Sequence, residues 1–426
     1  MSSAGRAGAG LAAGRVAALA DALRAVAPLD APADARLRQF FRSRPQMGRE
    51  DRAFVAEAVF AFLRRRRSIE ALAGASDPRH LALATLVREL GRSVREIDAA
   101  LTGDEREWLA AFKARVQAPL PEAVDADLPD WLWERLGETM GPARRAAFAR
   151  SAREGAPLDL RVNTLKTTRD EALAALRADG IAATPTPHSP WGLRATGRPM
   201  LAKHPWFVDG RIEVQDEGSQ LVAFLVAPRR GEMVVDFCAG AGGKTLALGV
   251  LMRSQGRLYA FDTVDKRLAN LKPRLARSGL SNVHPQLIAH ERDAKVKRLA
   301  GKVDRVLVDA PCTGTGTLRR NPDLKWRHQP ADVAELTAKQ AAILASAATL
   351  VKVGGRVVYA TCSVLPEENE RIVDAFCAAH PGFALGDAEA ELARAGIALA
   401  TGPTMALSTA EHGCDAFYAA ILERKR

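Results

Sequence analysis

Two cysteines in the sequence follow apolar runs that are typical of β-strands. Cys312 stands in Asp309-Ala-Pro-Cys312, after the run DRVLVD, and Cys362 follows the run GRVVYAT. If these runs are neighbouring parallel strands, both thiols lie at the same edge of a sheet, where this architecture places reactive groups. A buried cysteine often only fills apolar space, but this placement predicts nucleophilic catalysis by a thiolate instead.

The reaction that a thiolate makes accessible here is methylation of a pyrimidine ring carbon. C5 of a pyrimidine is too weak a nucleophile to take a methyl group unaided, and addition of a thiolate at C6 makes C5 enamine-like. The methyl donor must then be an electrophile such as the sulfonium of S-adenosylmethionine, and a base must remove the C5 proton before the thiol leaves. These residues alone do not decide which of the two thiols adds to the ring.

A glycine-rich loop, DFCAGAGGKT (residues 236–245), follows an earlier strand-like run. Its Gly-Lys-Thr ending is similar to a phosphate-binding P-loop, but that motif requires a glycine where this chain has Cys238. Small residues after a strand also let the backbone approach a nucleotide-type cofactor, next to the free N–H groups of a helix start. We therefore predict cofactor contacts by Cys238, Ala239, Gly240, Ala241, Gly242, Gly243 and Lys244.

Acidic residues follow the next two strands. Asp262 ends the run RLYAFD, where a carboxylate is placed to accept hydrogen bonds from both ribose hydroxyls of an adenosine. Arg267 lies one turn into the following helix, and Asp293 in ERDA is placed to meet the exocyclic amine of adenine. The alternative for Asp293 is an ordinary surface position. Together with the loop, these residues predict an adenosine-containing cofactor.

Charge indicates an anionic partner. The 426-residue chain is 47% hydrophobic and has a formal net charge of +11, which favours nucleic acid, although a genomic bias towards Ala and Arg would also raise the charge. A cationic stretch with an aromatic residue, typical of single-stranded nucleic-acid sites, follows Cys312. We predict RNA contacts there, against the alternative of a plain basic loop, by Arg319, Arg320, Lys325, Trp326 and Arg327. The run Arg64–Arg67 is predicted to end a helix, either in solvent or against RNA.

The pattern along the chain predicts three domains in an α/β protein. Apolar spacing up to about residue 117 is helical, a small α/β piece follows, and strands and helices alternate strictly after Arg230. The last part predicts a doubly wound, Rossmann-like sheet with an antiparallel edge, in which one helix spans Pro366–Ala379. The predicted domains are residues 1–128, 129–228 and 229–426.

These motifs, in this order, resemble the NOL/NOP/Sun family of RNA cytosine-C5 methyltransferases. The resemblance lies in DFCAGAGGKT, AFD…R, VDAPCTGTGTLRRNPDLKW and YATCSVLPEENE, with LRVNTLK and VQDEGSQL in the small domain, and it covers about Pro129 to the end. It implies a methyltransferase that uses S-adenosylmethionine, with Cys362 as nucleophile and Cys312 assisting release of the methylated base. It further implies that Asp309 hydrogen-bonds the cytosine ring beside the cofactor. The family's loop more commonly has Ala-Pro where this chain has Gly240-Ala241.

Within the family, the chain is most similar to the bacterial RsmB branch, whose helical domain is NusB-like and whose substrate is 16S ribosomal RNA. This similarity implies a cytoplasmic, monomeric enzyme that acts on ribosomal RNA. A transfer RNA substrate, a DNA substrate and a non-catalytic RNA-binding assembly factor are the alternatives. No apolar run is long enough for a membrane helix, and the five cysteines form no C-x-x-C pair, so we expect neither a membrane nor a metal partner.

Overall fold

The computed structural model describes residues 13–426 and divides into two compact units. The domain boundaries predicted after residues 128 and 228 stay predictions. Among residues 13–426, no helix is both long and apolar enough to cross a membrane. The first unit holds the chain up to Gly155 together with Leu318–Gln329, and the second holds Ala156–Thr317 together with Pro330–Arg426.

The first unit is helical, as predicted. Apolar residues recur at three- and four-residue spacing, so the helices bury apolar faces in a common core that includes Leu19, Val59, Leu83 and Phe112. Its helices up to Gly155 are α1 (Ala13–Val26), α2 (Ala33–Arg42), α3 (Arg49–Ala73), α4 (Pro78–Arg88), α5 (Val94–Ile97), α6 (Gly103–Arg115), α7 (Glu122–Asp125), α8 (Asp130–Thr139) and α9 (Pro142–Ala152).

The arginine run Arg64–Arg67 lies where two helical stretches of α3 meet, so the first stretch ends in the run as predicted, but a second one follows it directly. Arg65 has non-helical dihedral angles (φ −119°, ψ 20°), yet the helix continues to Ala73. The backbone amide of Ser68 donates to Oδ1 of the buried Asp127 (2.9 Å). The run therefore marks a kink, which is stabilised by a partner far away in the sequence.

The second unit begins with a small antiparallel sheet of strand order β2-β3-β1-β4. Its core contains Leu160, Leu176, Leu193 and Ile212, all fully buried. The sequence of the first strand of this sheet alternates as strands do. Thr168 and Glu171 form the capping box that starts the helix after that strand. The elements are β1 (Leu158–Val162), α10 (Arg169–Ala178), β2 (Ala183–Pro185), β3 (Gly192–Ala195), α11 (Pro205–Val208) and β4 (Ile212–Val214).

The rest of the second unit forms the predicted doubly wound sheet. Helix α12 (Glu217–Val226) leads from the small sheet into this part. Its further elements are β5 (Met233–Asp236), α13 (Gly243–Leu251), β6 (Arg257–Asp262), α14 (Asp265–Ser278), β7 (Val283–Leu287), α15 (Ala294–Lys297), β8 (Val303–Asp309), α16 (Leu324–Arg327), α17 (Pro330–Ala348), β9 (Val351–Thr361), α18 (Glu370–Ala379), β10 (Phe383–Leu385), α19 (Ala388–Arg394), β11 (Met405–Ala406), α20 (Thr409–His412) and β12 (Tyr418–Arg424). Of these, α16 lies in Leu318–Gln329 and so belongs to the first unit.

The large sheet has the order β10-β12-β9-β8-β5-β6-β7, with β11 paired to β12. The strands from β9 to β7 are parallel, while β12 and β10 form the predicted antiparallel edge. Successive residues of the central strands enter different cores: Val234 packs with α12 and α13, and Val235 packs with α17 and α18. Both faces are thus covered, which explains why these strands are continuous apolar runs.

The helix predicted from Pro366 begins later than expected. Pro366–Glu368 form a separate 3₁₀ turn, and α18 starts at Glu370. Asn369 between them has φ −116° and ψ −103°, which no helix accommodates. The proline was placed correctly at the start of a helical turn, but the continuous helix was wrong.

Candidate active site

The carboxyl ends of four parallel strands, in the order β9-β8-β5-β6, lie along one edge of the large sheet. This order brings together residues that are far apart in the sequence. Asp236, Asp262 and Asp309 end β5, β6 and β8, while Cys362 follows β9 directly. The sheet therefore places Asp262 and Asp309 on one rim with the predicted nucleophile.

The glycine-rich loop turns sharply between β5 and α13. Gly242 has φ +81°, and a Cβ added there would lie 2.1 Å from Cδ1 of Leu271. Gly240 has φ +56°, and a Cβ added there would meet no heavy atom within 4 Å. Gly242 is thus required for close packing against α14, whereas Gly240 borders open space.

Asp262 holds the glycine-rich loop in place. The carboxylate is almost fully buried, and its oxygens accept hydrogen bonds from the amides of Gly240 (2.9 Å) and Val264 (2.8 Å). Because each carboxylate oxygen has two lone pairs, acceptor sites remain beyond these two bonds. Arg267 Nη1 lies 3.9 Å from Asp262 Oδ2, and most of the Arg267 side chain is exposed. Cofactor contacts by Asp262 and Arg267 stay predictions.

Two further acids differ in their surroundings. Asp236 accepts a hydrogen bond from the hydroxyl of Thr245 (2.6 Å), and burial raises the pKa of Asp236 to about 7. Its buried Oδ1 has no hydrogen-bond partner among the described residues. Asp293 caps α15 and accepts hydrogen bonds from the amides of Ala289 and Lys295, which lower its pKa. Contact between Asp293 and adenine stays a prediction.

The two cysteine sulfurs lie 3.4 Å apart. A hydrogen bond with Cys362, and then burial, raise the pKa of the Cys312 thiol well above its ordinary value. Either sulfur can donate in this contact. A hydrogen bond donated by one thiol stabilises a thiolate on the other, so the pair suits thiolate chemistry. The roles of Cys362 as nucleophile and of Cys312 in release stay predictions.

Lys244 lies beside this pair and links the loop to Asp309. Its Nζ donates to Asp309 Oδ2 (2.8 Å) and lies 4.8 Å from the centre of the Phe417 ring. Burial disfavours the ammonium, but the charges of Asp309 and Cys362 outweigh burial and raise the pKa of Lys244. The loop thus places a buried, charged lysine against Asp309.

Comparison with known proteins identifies the family. The family model described as "16S rRNA methyltransferase RsmB/F" matches residues 223–423, and the "Methyltr_RsmF/B-like, ferredoxin-like domain" model matches residues 128–199. Ribosomal RNA small subunit methyltransferase B of Klebsiella pneumoniae (strain 342) is 33% identical over 364 residues, which cover 82% of this chain and 78% of that protein. The chain belongs to the RsmB/F methyltransferase family.

Two other relatives extend this comparison. The probable ribosomal RNA small subunit methyltransferase B of Synechocystis is 40% identical over 256 residues, or 59% of this chain. The chain spans only 56% of the length of that protein in this match. The crystal structure of PH0851 covers 97% of this chain and 99% of its own, with a TM-score of 0.77 and 26% sequence identity. The RsmB/F assignment thus agrees with the NOL/NOP/Sun resemblance and with the Rossmann-like fold.

The residues at the rim fit S-adenosylmethionine. The open space beside Gly240 lets a ligand approach the loop backbone, and Asp262 retains acceptor sites next to it. The side chain of Asp309 is 31% exposed, so one of its faces is open beside the thiols. The residues that would hold the cofactor are the loop residues together with Asp262 and Asp309, and these contacts stay predictions.

The segment Leu318–Gln329, which contains the predicted RNA contacts, packs on the kink of α3 in the first unit. Lys325 is 1% exposed and donates from Nζ to the carbonyl oxygen of Arg64 (2.9 Å). Trp326 Nε1 donates to the carbonyl oxygen of Leu63 (2.7 Å). The kink thus has a function that sequence reasoning missed. Backbone carbonyls close to Arg65 accept hydrogen bonds from two side chains of this segment.

The other basic residues of the segment are also partly or fully buried. Arg319 is 5% exposed, and its carbonyl accepts a hydrogen bond from the Arg64 guanidinium (3.1 Å). Arg327 pairs with Asp323 (3.3 Å), and Arg320 is half-buried. The segment was predicted to contact RNA, with a plain basic loop as the alternative, yet several of its side chains pack within the helical unit. RNA contact by these residues stays a prediction.

Replacement of Lys325 by methionine is expected to destabilise the protein more at pH 9.5 than at pH 6. Burial lowers the pKa of Lys325 to about 7 from an ordinary 10.5. Between these two pKa values the Lys325 amine is protonated in the unfolded chain and neutral in the folded chain. The free energy of unfolding of the wild type therefore rises with pH relative to that of the variant. The lost hydrogen bond to Arg64 costs about 1–3 kcal/mol in addition. Thermal unfolding from pH 6 to 9.5 measures the difference.

The exposed Lys113 in α6 provides the control for this experiment. Lys113→Met removes the same charge from solvent and is expected to shift the melting temperature little at any pH. If the difference in melting temperature between wild type and Lys325→Met stays constant across the pH range, the buried position of the Lys325 amine is contradicted.

Proposed function

We propose that this protein transfers a methyl group from S-adenosylmethionine to C5 of a cytosine in RNA, with 16S ribosomal RNA as the substrate. The observation that supports this reaction best is the pair of sulfurs 3.4 Å apart, next to the charged pair of Lys244 and Asp309. One thiol must add to the ring and a second group must assist release, and this site offers both. The names of the relatives from Klebsiella and Synechocystis support ribosomal RNA as the substrate.

The chain's own residues divide the steps as follows. Cys362 adds as a thiolate to C6, and the ammonium of Lys244 stabilises its negative charge beforehand. Asp309, held by Lys244, accepts a hydrogen bond from the amino group of the cytosine and so orients the ring for the addition. When bound, S-adenosylmethionine would supply the electrophilic methyl group. A base then takes the C5 proton to solvent, the C5–C6 double bond re-forms, and the electrons of the C6–S bond return to the Cys362 sulfur. Cys312 assists this release because its sulfur adjoins that of Cys362.

Mapping of 5-methylcytosine in cellular RNA tests the proposed substrate. Bisulfite sequencing of cells with and without the gene is expected to reveal a cytosine in 16S ribosomal RNA that loses its methyl group, and that regains it with wild type but not with Cys362→Ala. A site in transfer RNA would exclude the ribosomal substrate and retain the chemistry. Absence of any altered site would favour an assembly factor, for which failure to bind S-adenosylmethionine in calorimetry is the second criterion.

Asp262→Ala is expected to weaken S-adenosylmethionine binding by about 10- to 100-fold. The variant loses a carboxylate that would accept ribose hydroxyls, and hydrogen bonds to a charged group contribute roughly 1.5–3 kcal/mol. The variant also loses the hydrogen bond that the Gly240 amide donates to the Asp262 carboxylate. Isothermal titration calorimetry measures the effect. Asp265→Ala removes an exposed acid three residues away and is expected to bind like wild type; equal loss in both variants would refute the assignment.

A further inference from the structure

Glu368 is a fully buried carboxylate in the turn before α18. Its Oε1 accepts a hydrogen bond from the backbone amide of Thr313 (2.9 Å), and its Oε2 accepts one from the Thr313 hydroxyl (2.6 Å). Gln340 donates from Nε2 both to Glu368 Oε1 (3.0 Å) and to the carbonyl oxygen of Pro311 (2.9 Å). The residues on both sides of Cys312 are therefore held through Glu368 and Gln340.

The next residue, Asn369, makes the equivalent contacts around the other cysteine. It is buried, and its Oδ1 accepts a hydrogen bond from the hydroxyl of Thr361. Its Nδ2 donates to the carbonyl oxygen of Ser363 (3.0 Å). Asn369 thus holds both neighbours of Cys362 in the same way that Glu368 and Gln340 hold both neighbours of Cys312.

A buried carboxylate is a costly way to join two loops. An isolated charge in the interior is strongly unfavourable, and an apolar residue of similar volume often stabilises a fold as well. Glu368 offsets this cost by accepting three hydrogen bonds. After the hydrogen bond with Cys362 and burial, its charge is a further cause that raises the pKa of Cys312, and so keeps that thiol protonated.

We propose that Glu368 and Asn369 are positioning residues, each of which holds one of the two thiols in place. Glu368 holds Cys312 for its part in release, and Asn369 holds Cys362 for addition to the ring. Because Glu368 and Asn369 are adjacent in one turn, they also fix the distance between the two cysteine loops, which follow β8 and β9 and carry Cys312 and Cys362. The backbone contact from the Gly316 amide to the Cys362 carbonyl (2.8 Å) joins the same loops directly. This inference rests on the proposed function and assigns roles to residues that do not touch the reacting atoms.

The test compares the covalent protein–RNA adduct in two variants by denaturing gel electrophoresis. Glu368→Gln keeps the shape and removes the charge, so the Cys312 loop shifts and release slows. We expect turnover to fall on the order of 10- to 100-fold, as for small misplacements of a catalytic group, while adduct accumulates. Asn369→Ala is expected to reduce turnover similarly with less adduct than wild type. Both variants are expected to bind S-adenosylmethionine normally, and Glu370→Gln, at the exposed start of α18, serves as the matched control.

A second pair of variants decides the matter if the first pair does not fold. Thr313→Val removes the hydroxyl that donates to Glu368 and also contacts Thr315 and Ser363. Thr361→Val removes the hydroxyl that donates to Asn369 and accepts from the Ser363 amide. Both substitutions keep volume and branching. We expect Thr313→Val to raise the adduct level and Thr361→Val to lower it, with both variants folded but melting below wild type because each loses a buried hydrogen bond.

Cys312→Ala separates failure of this inference from failure of the proposed function. If Cys312→Ala traps no adduct, the covalent route itself is wrong. If it traps adduct but the Glu368 and Asn369 variants change the adduct level in the same direction, only the positioning roles are refuted. The double variant Cys312→Ala with Glu368→Gln is expected to hold no more adduct than Cys312→Ala alone, since Glu368 acts through that cysteine.

Discussion

Cys362→Ala is expected to lower methyl transfer on the order of 10⁴-fold or more and to form no covalent adduct with RNA. Without a thiolate at this position nothing adds to C6 of the cytosine, and C5 stays too weak a nucleophile to accept the methyl group. The neighbouring Cys312 does not substitute for it, because its raised pKa keeps it protonated. Transfer of a radioactive methyl group to RNA measures the loss.

Binding measurements distinguish this chemical loss from a damaged fold. Cys362→Ala is expected to bind S-adenosylmethionine and RNA with near wild-type affinity, because the substitution leaves Gly240, Asp262 and Asp309 in place. Cys377→Ala, on α18, removes a thiol outside the rim and is expected to retain full activity. An active Cys362→Ala enzyme would refute the assignment of the nucleophile.

Cys312→Ala is expected to have the opposite signature. Addition by Cys362 and methyl transfer still take place, but release of the methylated base loses its assisting group. A protein–RNA adduct that survives denaturing electrophoresis should therefore accumulate, while multiple turnover falls by about 10²- to 10⁴-fold, the range ascribed to general acid–base groups. Mass spectrometry of the adduct is expected to locate the nucleotide on Cys362.

The double variant provides the control. Cys362→Ala with Cys312→Ala is expected to form no adduct, since release is irrelevant when addition fails. If adduct accumulates in Cys362→Ala and not in Cys312→Ala, the two roles are reversed. That result would also reverse the expected effects of Glu368 and Asn369, because each holds a different cysteine loop.

Local patterns were enough to predict the rim of the sheet. Apolar runs such as GRVVYA indicated buried parallel strands, and the residues after each run were placed correctly at strand ends because a strand's direction follows directly from the chain. The order of the strands brought Cys312 and Cys362 together as expected. The antiparallel edge formed by β12 was likewise predicted, from strand-like alternation near the end of the chain.

Long-range partners explain what local patterns missed. The arginine run in α3 was predicted to face solvent or RNA, and the segment after Cys312 was predicted to contact RNA, since charged side chains are usually exposed. They instead pack on each other, 261 residues apart between Arg64 and Lys325, because the carbonyls near Arg65 accept side-chain donors. No pattern within either stretch indicates such a partner.

The sequence by itself determined the fold class, the strand ends and the residue types at the site, since these depend on periodicity and local order. The tertiary structure alone decided how close the two thiols lie, which acid Lys244 contacts and how Glu368 and Asn369 divide the two loops. The physical reason is that protonation states and hydrogen bonds depend on burial and on distances between separate segments. The glycine-rich loop thus indicated a cofactor from its residues alone, whereas the reactivity of the two cysteines depends on their three-dimensional surroundings.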